Sequence, residues 1–146
     1  MDASPLIHVA RFADLRPHEL YGILKLRSDV FIVEQDCAYD DIDGRDAEPT
    51  TLHFWVERDD LVIAALRLLR NRDGAYHIGR VTTHSAHRGH GLAGALMRHA
   101  MTLAEPPIEI KAQAHLAGWY ATFGFVPYDD EFVEDGIPHQ RMRIDA

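Results

Sequence analysis

A strand–loop–helix segment with a glycine-rich loop constrains this sequence most. The loop reads Arg88-Gly89-His90-Gly91-Leu92-Ala93-Gly94 and lies between a strand-like run, Tyr76–Thr83, and a helix predicted over Gly91–Ala104. A basic residue followed by small residues at a helix start leaves backbone N–H groups open to an anion, and the aligned peptide dipoles add about half a positive charge there. The segment therefore predicts an α/β unit that binds a phosphate group.

The loop also matches a dinucleotide-binding pattern, Gly89-x-Gly91-x-x-Gly94. In that pattern the first glycine directly follows a strand, whereas residues His84–Arg88 separate Gly89 from the strand in this chain. The pattern also needs an acidic residue at the end of the next strand, and Glu109 lies early in its strand-like run. The context therefore disfavours a dinucleotide ligand.

Hydrophobic periodicity assigns the rest of the chain to short strands and helices around one acidic loop, Asp36–Thr51. A helix beginning at Pro17 carries Arg27 on its apolar stripe, and the shorter helix Leu116–Phe123 comes near the end of the chain. Strands dominate early and a helix separates strands later, which predicts an α/β sandwich with a mixed sheet. The predicted strands are Ile7–Phe12, the hairpin His53–Glu57 and Leu61–Arg70, Tyr76–Thr83, Ile108–Ala114, Phe125–Pro127, and His139–Ile144 paired with a segment near Phe132.

The loop and five further segments together resemble one enzyme family. Arg88-x-x-Gly91-x-Ala93 is similar to the pyrophosphate-binding signature of the GNAT acyltransferases, and Trp119–Phe125 resembles their aromatic Phe-Tyr-x-x-x-Gly-Phe segment. The segments that resemble the ElaA-like branch are Leu26–Tyr39, Asp41–Gly44, Gln113–Leu116 and Glu134–His139. The resemblance implies one GNAT domain over residues 1–146, with a mixed, mostly antiparallel central sheet flanked by helices. Two splayed parallel strands would hold the cofactor.

The resemblance also implies where the acyl donor binds, with acetyl-CoA as the expected cosubstrate and no metal. The strand end Val81-Thr82-Thr83 would pair with the pantetheine amides, and the Val81 N–H would polarise the thioester carbonyl. The expected phosphate contacts are Arg88, Gly89, His90, Gly91, Leu92, Ala93 and Gly94.

Acyl transfer to an amine needs an acid for the leaving thiolate and a base for the amine. Tyr120, in the aromatic segment, is the candidate acid because a phenol keeps its proton at neutral pH. His139 and Glu34 are rival candidates for the base, and a water relay without a protein base is the third alternative. Arg27, Phe31 and Asp43 are candidate substrate contacts, the first with an equally good structural interpretation.

Composition narrows the class of partner. The net charge is −8, from 15 basic and 23 acidic residues, which disfavours a nucleic-acid or anionic membrane surface. The single cysteine, Cys37, fits a reducing cytoplasm and no run approaches the roughly 18 apolar residues of a membrane span. The expected partners are therefore a coenzyme A thioester and a small amine, and a homodimer through the terminal strands is compatible with the family.

Three other interpretations stay open beside acyl transfer to an amine. Arg27, Phe31 and Glu34 also resemble the N-terminal pattern of acyl-homoserine-lactone synthases, although those enzymes lack a well-formed Arg-x-x-Gly-x-Ala loop. A coenzyme-A-binding sensor without turnover would share the same loop. The spacing His84-x-x-His87-x-x-His90 raises a metal site, which the lack of a cysteine or carboxylate partner at ligand spacing disfavours.

Overall fold

The computed structural model describes residues 4–145, which form one eight-stranded sheet. Strand order is β1-β2-β3-β4-β5-β8-β6, with β7 paired to β8, and β4–β5 is the one parallel pair among these strands. The strands are β1 (His8–Arg11), β2 (Leu52–Arg58), β3 (Leu61–Arg70), β4 (Tyr76–Thr83), β5 (Ile108–Gln113), β6 (Val126–Pro127), β7 (Phe132–Glu134) and β8 (Ile137–Ile144). The predicted mixed, mostly antiparallel sheet is confirmed.

Helices cover both faces of the sheet. Helix α1 (Pro17–Arg27) runs into a π-helical turn, Ser28–Glu34, and helices α2 (Leu92–Thr102) and α3 (Ala117–Ala121) follow later. Pro17 occupies the first turn of α1, where its missing N–H costs nothing. The predicted elements match these bounds to within a few residues, and the predicted pairing of the last strand near Phe132 is confirmed.

The two faces of β2 and β3 belong to two separate hydrophobic clusters. Phe54 and Leu66 pack with α2, whereas their neighbours Trp55 and Ala65 pack with α1, because successive strand side chains point to opposite faces. Eight consecutive residues of β3 are buried, as expected for a strand covered on both sides. This double burial fixes the register of the strands that hold the site.

The parallel strands β4 and β5 pair only at their beginnings. Tyr76 faces Ile108 and His77 faces Glu109, and beyond these two pairs the strands are no longer hydrogen-bonded to each other. On its other side β4 stays paired with β3, and β5 stays paired with β8. The sheet therefore opens between β4 and β5, as the family resemblance implies.

Candidate active site

A cleft of about 1420 Å³ begins at the opening between β4 and β5. It brings together most of the residues that the sequence singled out: Glu34, Tyr120, His139, Phe31, Asp43, the strand end Val81–Thr83, and the loop residues Arg88, Gly89, Gly91, Leu92, Ala93 and Gly94. His90 is exposed and Arg27 is buried, and neither lines the cleft. Residues as far apart in the chain as Phe31 and His139 thus line the same cleft.

The glycine-rich loop opens the N-terminus of α2 toward this cleft. Gly91 is the residue that caps the helix, with φ 75°, and it provides no side chain to bind the first amides. The N–H groups at the start of a helix have no partner inside the helix, so those of Leu92, Ala93 and Gly94 are available to an anion. Gly89, with φ 82°, adds a second left-handed turn just before it. The loop therefore presents free backbone N–H groups at the cleft, and phosphate binding there stays a prediction.

Two arginines lie beside the loop, and a carboxylate neutralises one of them. Arg88 donates from Nε to the Thr83 carbonyl at 3.1 Å and forms a two-pronged ion pair with Glu34, at 2.7 and 2.9 Å. The guanidinium of Arg98 lies 3.3 Å from where a Cβ on Gly94 would be. The sequence analysis missed Arg98, which the four-residue spacing from Gly94 along a helix could have indicated.

The end of β4 contains a β-bulge. Ala65 faces Thr82 and Arg67 faces Gly79, so Leu66 alone faces both Arg80 and Val81. Arg80 has φ 53°, a left-handed conformation that costs a non-glycine residue about 1–2 kcal/mol. Thr82 is 3% exposed, and its hydroxyl has no hydrogen-bond partner within residues 4–145. A buried hydroxyl left unpaired beside a cleft is suited to a polar group of a ligand.

Tyr120 lies at the edge of an aromatic cluster and lines the cleft. Its ring packs edge-on against Trp119 at 4.8 Å and Phe125 at 6.4 Å. Burial raises the pKa of Tyr120 to about 12, so the phenol is fully protonated at neutral pH. It can donate a hydrogen bond or a proton to an anion that develops beside it.

His139 and Glu34, the two candidate bases, differ in what holds them. His139 Nδ1 lies 2.7 Å from the Ile137 carbonyl, and a carbonyl can only accept, so in the neutral ring Nδ1 carries the proton and Nε2 is the basic nitrogen. The imidazole stacks on Phe132. The hydrogen bond from Arg88 lowers the pKa of Glu34, which makes that carboxylate a weaker base. The geometry favours His139.

Arg27 has a different environment from the one its position on the helix suggested. It is 1% exposed and donates to both Asp41, from Nε at 3.0 Å, and Asp46, from Nη1 at 2.7 Å. The prediction of a substrate contact at Arg27 is therefore not supported: its donors are occupied by the acidic loop. The helical pattern placed only the aliphatic part of the Arg27 side chain. The carboxylates that bind its guanidinium lie 14 and 19 residues away in the sequence, so the pattern could not indicate them.

Arg27 belongs to a neutral network of three arginines and three aspartates that fixes the acidic loop onto the sheet. Arg67 binds Asp43 at 2.7 Å and Asp46 at 3.1 Å, and Arg80 binds Asp41 at 2.8 Å. The hydrogen bond from Arg67 holds the pKa of Asp43 well below its usual range. Buried charges are tolerated here because each has a partner of opposite sign.

The expected substrate contacts Phe31 and Asp43 both face the cleft beside this network. Phe31, on the π-helical turn, packs edge-on against Tyr39, and Asp43 keeps part of its carboxylate exposed while it binds Arg67. Cys37 is half-buried and also lines the cleft. The acidic loop therefore forms one wall of the cleft.

His77 is a cleft residue that the sequence analysis did not select. It lies at the last paired position of β4, opposite Glu109. Burial, together with Lys111 and three nearby arginines, lowers the pKa of His77 to about 4. The ring is therefore neutral at physiological pH, and only the three-dimensional surroundings of this half-buried position reveal it.

The histidines at 84, 87 and 90 do not form a group of metal ligands within the described part of the chain. The one group of three potential ligands found in residues 4–145 is His18, Glu19 and Glu57, outside the cleft. Glu19 already accepts from the Arg16 amide and Glu57 from the Trp55 indole. Neither group adds a metal to the cleft.

Comparison with known proteins identifies the family. The model of the acetyltransferase (GNAT) domain matches residues 21–146. The chain belongs to the GNAT acyltransferase family. A UPF0039 protein of Mycobacterium tuberculosis is 44% identical over 88% of this chain and 86% of its own length, and ElaA of Escherichia coli is 37% identical over 89% and 90%. The resemblance to the ElaA-like branch is thus confirmed.

A solved structure shows the same fold with a stated activity. An acyl-CoA N-acyltransferase from Pseudomonas aeruginosa is 42% identical, with a TM-score of 0.91 over 98% of this chain and 100% of that one. Membership of the GNAT family supports acyl-CoA-dependent N-acyltransfer as the general activity of this chain.

No helix in the described residues has the length and apolar character needed to cross a membrane.

Proposed function

We propose that this protein is an acetyl-CoA-dependent N-acetyltransferase that acts on a small amine by direct transfer in a ternary complex. One observation carries the proposal: a single cleft connects an open helix N-terminus, the splayed ends of β4 and β5, and the residues Tyr120 and His139. The cleft is lined both by the Arg88–Gly94 loop and by Val81, so an extended pantetheine would lie along it with its pyrophosphate on the loop and its thioester at Val81. No metal takes part in this scheme.

The proposed chemistry balances with the groups that line the cleft. The neutral amine attacks the thioester carbonyl, whose oxygen becomes negative and is stabilised by the Val81 N–H. The carbon–sulfur bond then breaks, Tyr120 donates its proton to the thiolate, and His139 Nε2 takes the proton from the amine nitrogen. The products are the amide and free coenzyme A, and proton exchange with water restores both side chains.

Phe31 and Asp43 are proposed to contact the acceptor, because they lie on the wall formed by the acidic loop and the π-helical turn. An aromatic face beside a partly exposed carboxylate suits an ammonium-bearing molecule before it is deprotonated. A polyamine, an amino acid, an antibiotic and a peptide N-terminus all carry such a group.

We also propose a cytoplasmic location, in keeping with one half-buried cysteine. We further propose homodimerisation through the terminal strands, which light scattering tests.

The first experiment is a thermal melt with acetyl-CoA, free coenzyme A, a longer acyl-CoA and NAD in parallel. A ligand at 100 times its dissociation constant stabilises the folded state by about 2.7 kcal/mol, which raises the melting temperature of a domain of this size by roughly 5–10 °C. We expect a shift with the coenzyme A ligands and none with NAD. Absence of any coenzyme A shift would contradict the phosphate-loop assignment.

An amine screen by thiol release then separates an enzyme from a sensor. Saturable acetyl-CoA binding without thiol release on the whole panel would favour the sensor, and activity only with an acyl carrier protein would favour a lactone-type synthase. With an active amine, we expect His139→Gln to remove the acidic limb of the pH–rate profile, and Glu34→Gln to leave it. The reverse result would assign the base to Glu34.

A further inference from the structure

The bulge in β4 places an arginine where a glycine would be easier to accommodate. Arg80 has φ 53°, a region in which glycine carries no steric penalty. The neighbouring Gly79 has an ordinary strand conformation. The strained position is therefore occupied by an arginine although a glycine stands next to it. A strained side chain persists where its surroundings hold it.

The surroundings of Arg80 are the acidic loop on the cleft wall. Its Nε lies 2.8 Å from Asp41 Oδ1, its Nη2 donates to the Asp41 carbonyl at 3.2 Å, and its guanidinium lies over the Tyr39 ring. Asp41 is itself 5% exposed and is bound by Arg27 and by the Tyr39 hydroxyl. Arg80 is therefore tied to a partner that cannot move independently.

The extra residue of a bulge lies outside the regular hydrogen-bond ladder, so the β3–β4 pairing alone does not fix its direction. On the other side of β4, pairing with β5 has already ended at His77. The Arg80 side chain therefore fixes the bulge to the acidic loop, through Asp41 and, at 3.5 Å, Asp43, while Val81 packs against the hydrophobic core on the sheet. The next amide along the chain is that of Val81.

We propose that Arg80 is a positioning residue: its ion pair with Asp41 holds the β4 bulge so that the Val81 N–H meets the thioester carbonyl of the bound acyl donor. The proposal rests on the acyl-CoA function proposed above. It follows that the acidic loop, which is proposed to contact the amine, also orients the Val81 N–H toward the thioester. An error of about 1 Å in such aim can cost about a hundredfold in rate.

The test uses acetyl-CoA labelled with ¹³C at the carbonyl, and therefore needs no acceptor. A hydrogen bond to the carbonyl moves its ¹³C resonance downfield when the ligand binds, and calorimetry gives the dissociation constant on the same samples. Arg80→Gly relieves the backbone strain but removes the side chain, and Arg80→Gln keeps the stem but removes the charge. Asp60→Gly is the matched control, because Asp60 has φ 62° in the exposed turn between β2 and β3.

We expect the wild type and Asp60→Gly to show the downfield shift, and both Arg80 variants to lose at least about half of it while the dissociation constant changes by less than about threefold. Retention of the full shift in either folded Arg80 variant would overturn the proposal. A loss of affinity greater than tenfold would also overturn it, since Arg80 would then be a direct ligand contact. Wild-type protein that binds without a shift contradicts the role of the Val81 amide, whereas wild-type protein that does not bind acetyl-CoA overturns the proposed function itself.

Discussion

At the scale of single residues, burial determines what Tyr120 can contribute. With a pKa of about 12, the phenol never ionises at neutral pH, so it is always available as a donor. The same burial makes full proton transfer to a thiolate uphill, since an ordinary thiol has a pKa near 8.5. Tyr120 therefore stabilises the departing sulfur first by a hydrogen bond while the carbon–sulfur bond breaks. The uphill proton transfer is completed because the tyrosinate regains a proton from water.

Tyr120→Phe tests this role because it removes only the hydroxyl from a packed ring. We expect turnover with an active amine to fall by about a hundredfold, within the range that positioned acids supply, while the acetyl-CoA dissociation constant stays the same. Stopped-time thiol release and calorimetry give the two quantities. Tyr128→Phe is the matched control, because Tyr128 places another phenol in the same cleft. Unchanged turnover in Tyr120→Phe would exclude the acid role.

At the scale of elements, the conformation of the glycine-rich loop was predictable because all its information is local. Gly89, Gly91 and the helix start lie within a few residues, and backbone sterics dictate what such a sequence does. The opening between β4 and β5 came from the family resemblance rather than from periodicity. The bulge at Arg80 and the buried network could not be predicted, because Arg80 meets Asp41 across 39 residues and no local pattern encodes that contact. Arg27 illustrates the same point from the helix side.

Gly91→Ala separates the strain of the loop from its binding role. An alanine at φ 75° is strained but meets no atom within 4 Å, so we expect a loss of about 1–2 kcal/mol in the free energy of unfolding. Gly74→Ala is the control, since Gly74 has φ 92°, equally free space, and a place in the turn between β3 and β4. Only Gly91→Ala should weaken acetyl-CoA binding, by about tenfold or more, as measured by calorimetry. Equal affinity in the two variants would show that the loop does not bind the cofactor.

At the scale of the whole molecule, one network of ion pairs connects the acidic loop to α1, β3 and β4. Three guanidinium groups and three carboxylates neutralise one another there, although the chain as a whole carries −8. Because Arg67 holds the pKa of Asp43 below its usual range, this carboxylate keeps its charge through mild acid. Its contribution to stability is lost only as the pH falls below its ordinary value of 3.8. Any loss of stability in mild acid must therefore come from the protonation of other groups.

Two histidines are such groups, the half-buried His77 and the buried His53, and His77 gives the clearest pH dependence. Its pKa is about 4 in the folded protein and 6.5 in an unfolded chain, so between these values only the unfolded state binds the proton. Stability therefore falls as the pH falls through this window, by up to about 1.4 kcal/mol per pH unit, and the effect ends below pH 4, where both states are protonated. Burial lowers the pKa of His53 as well, so that histidine adds in the same direction.

Urea unfolding of wild type and His77→Gln at pH 7, 6 and 5 measures this contribution. We expect the wild-type free energy of unfolding to fall more steeply than that of His77→Gln, with the difference between them confined to the region below about pH 6.5. His18→Gln, at an exposed position, should follow the wild-type slope. Parallel curves for wild type and His77→Gln would mean that His77 gains its proton equally in both states. The part of the cleft around His77 would then hydrate its ring as fully in the folded protein as water does in the unfolded chain.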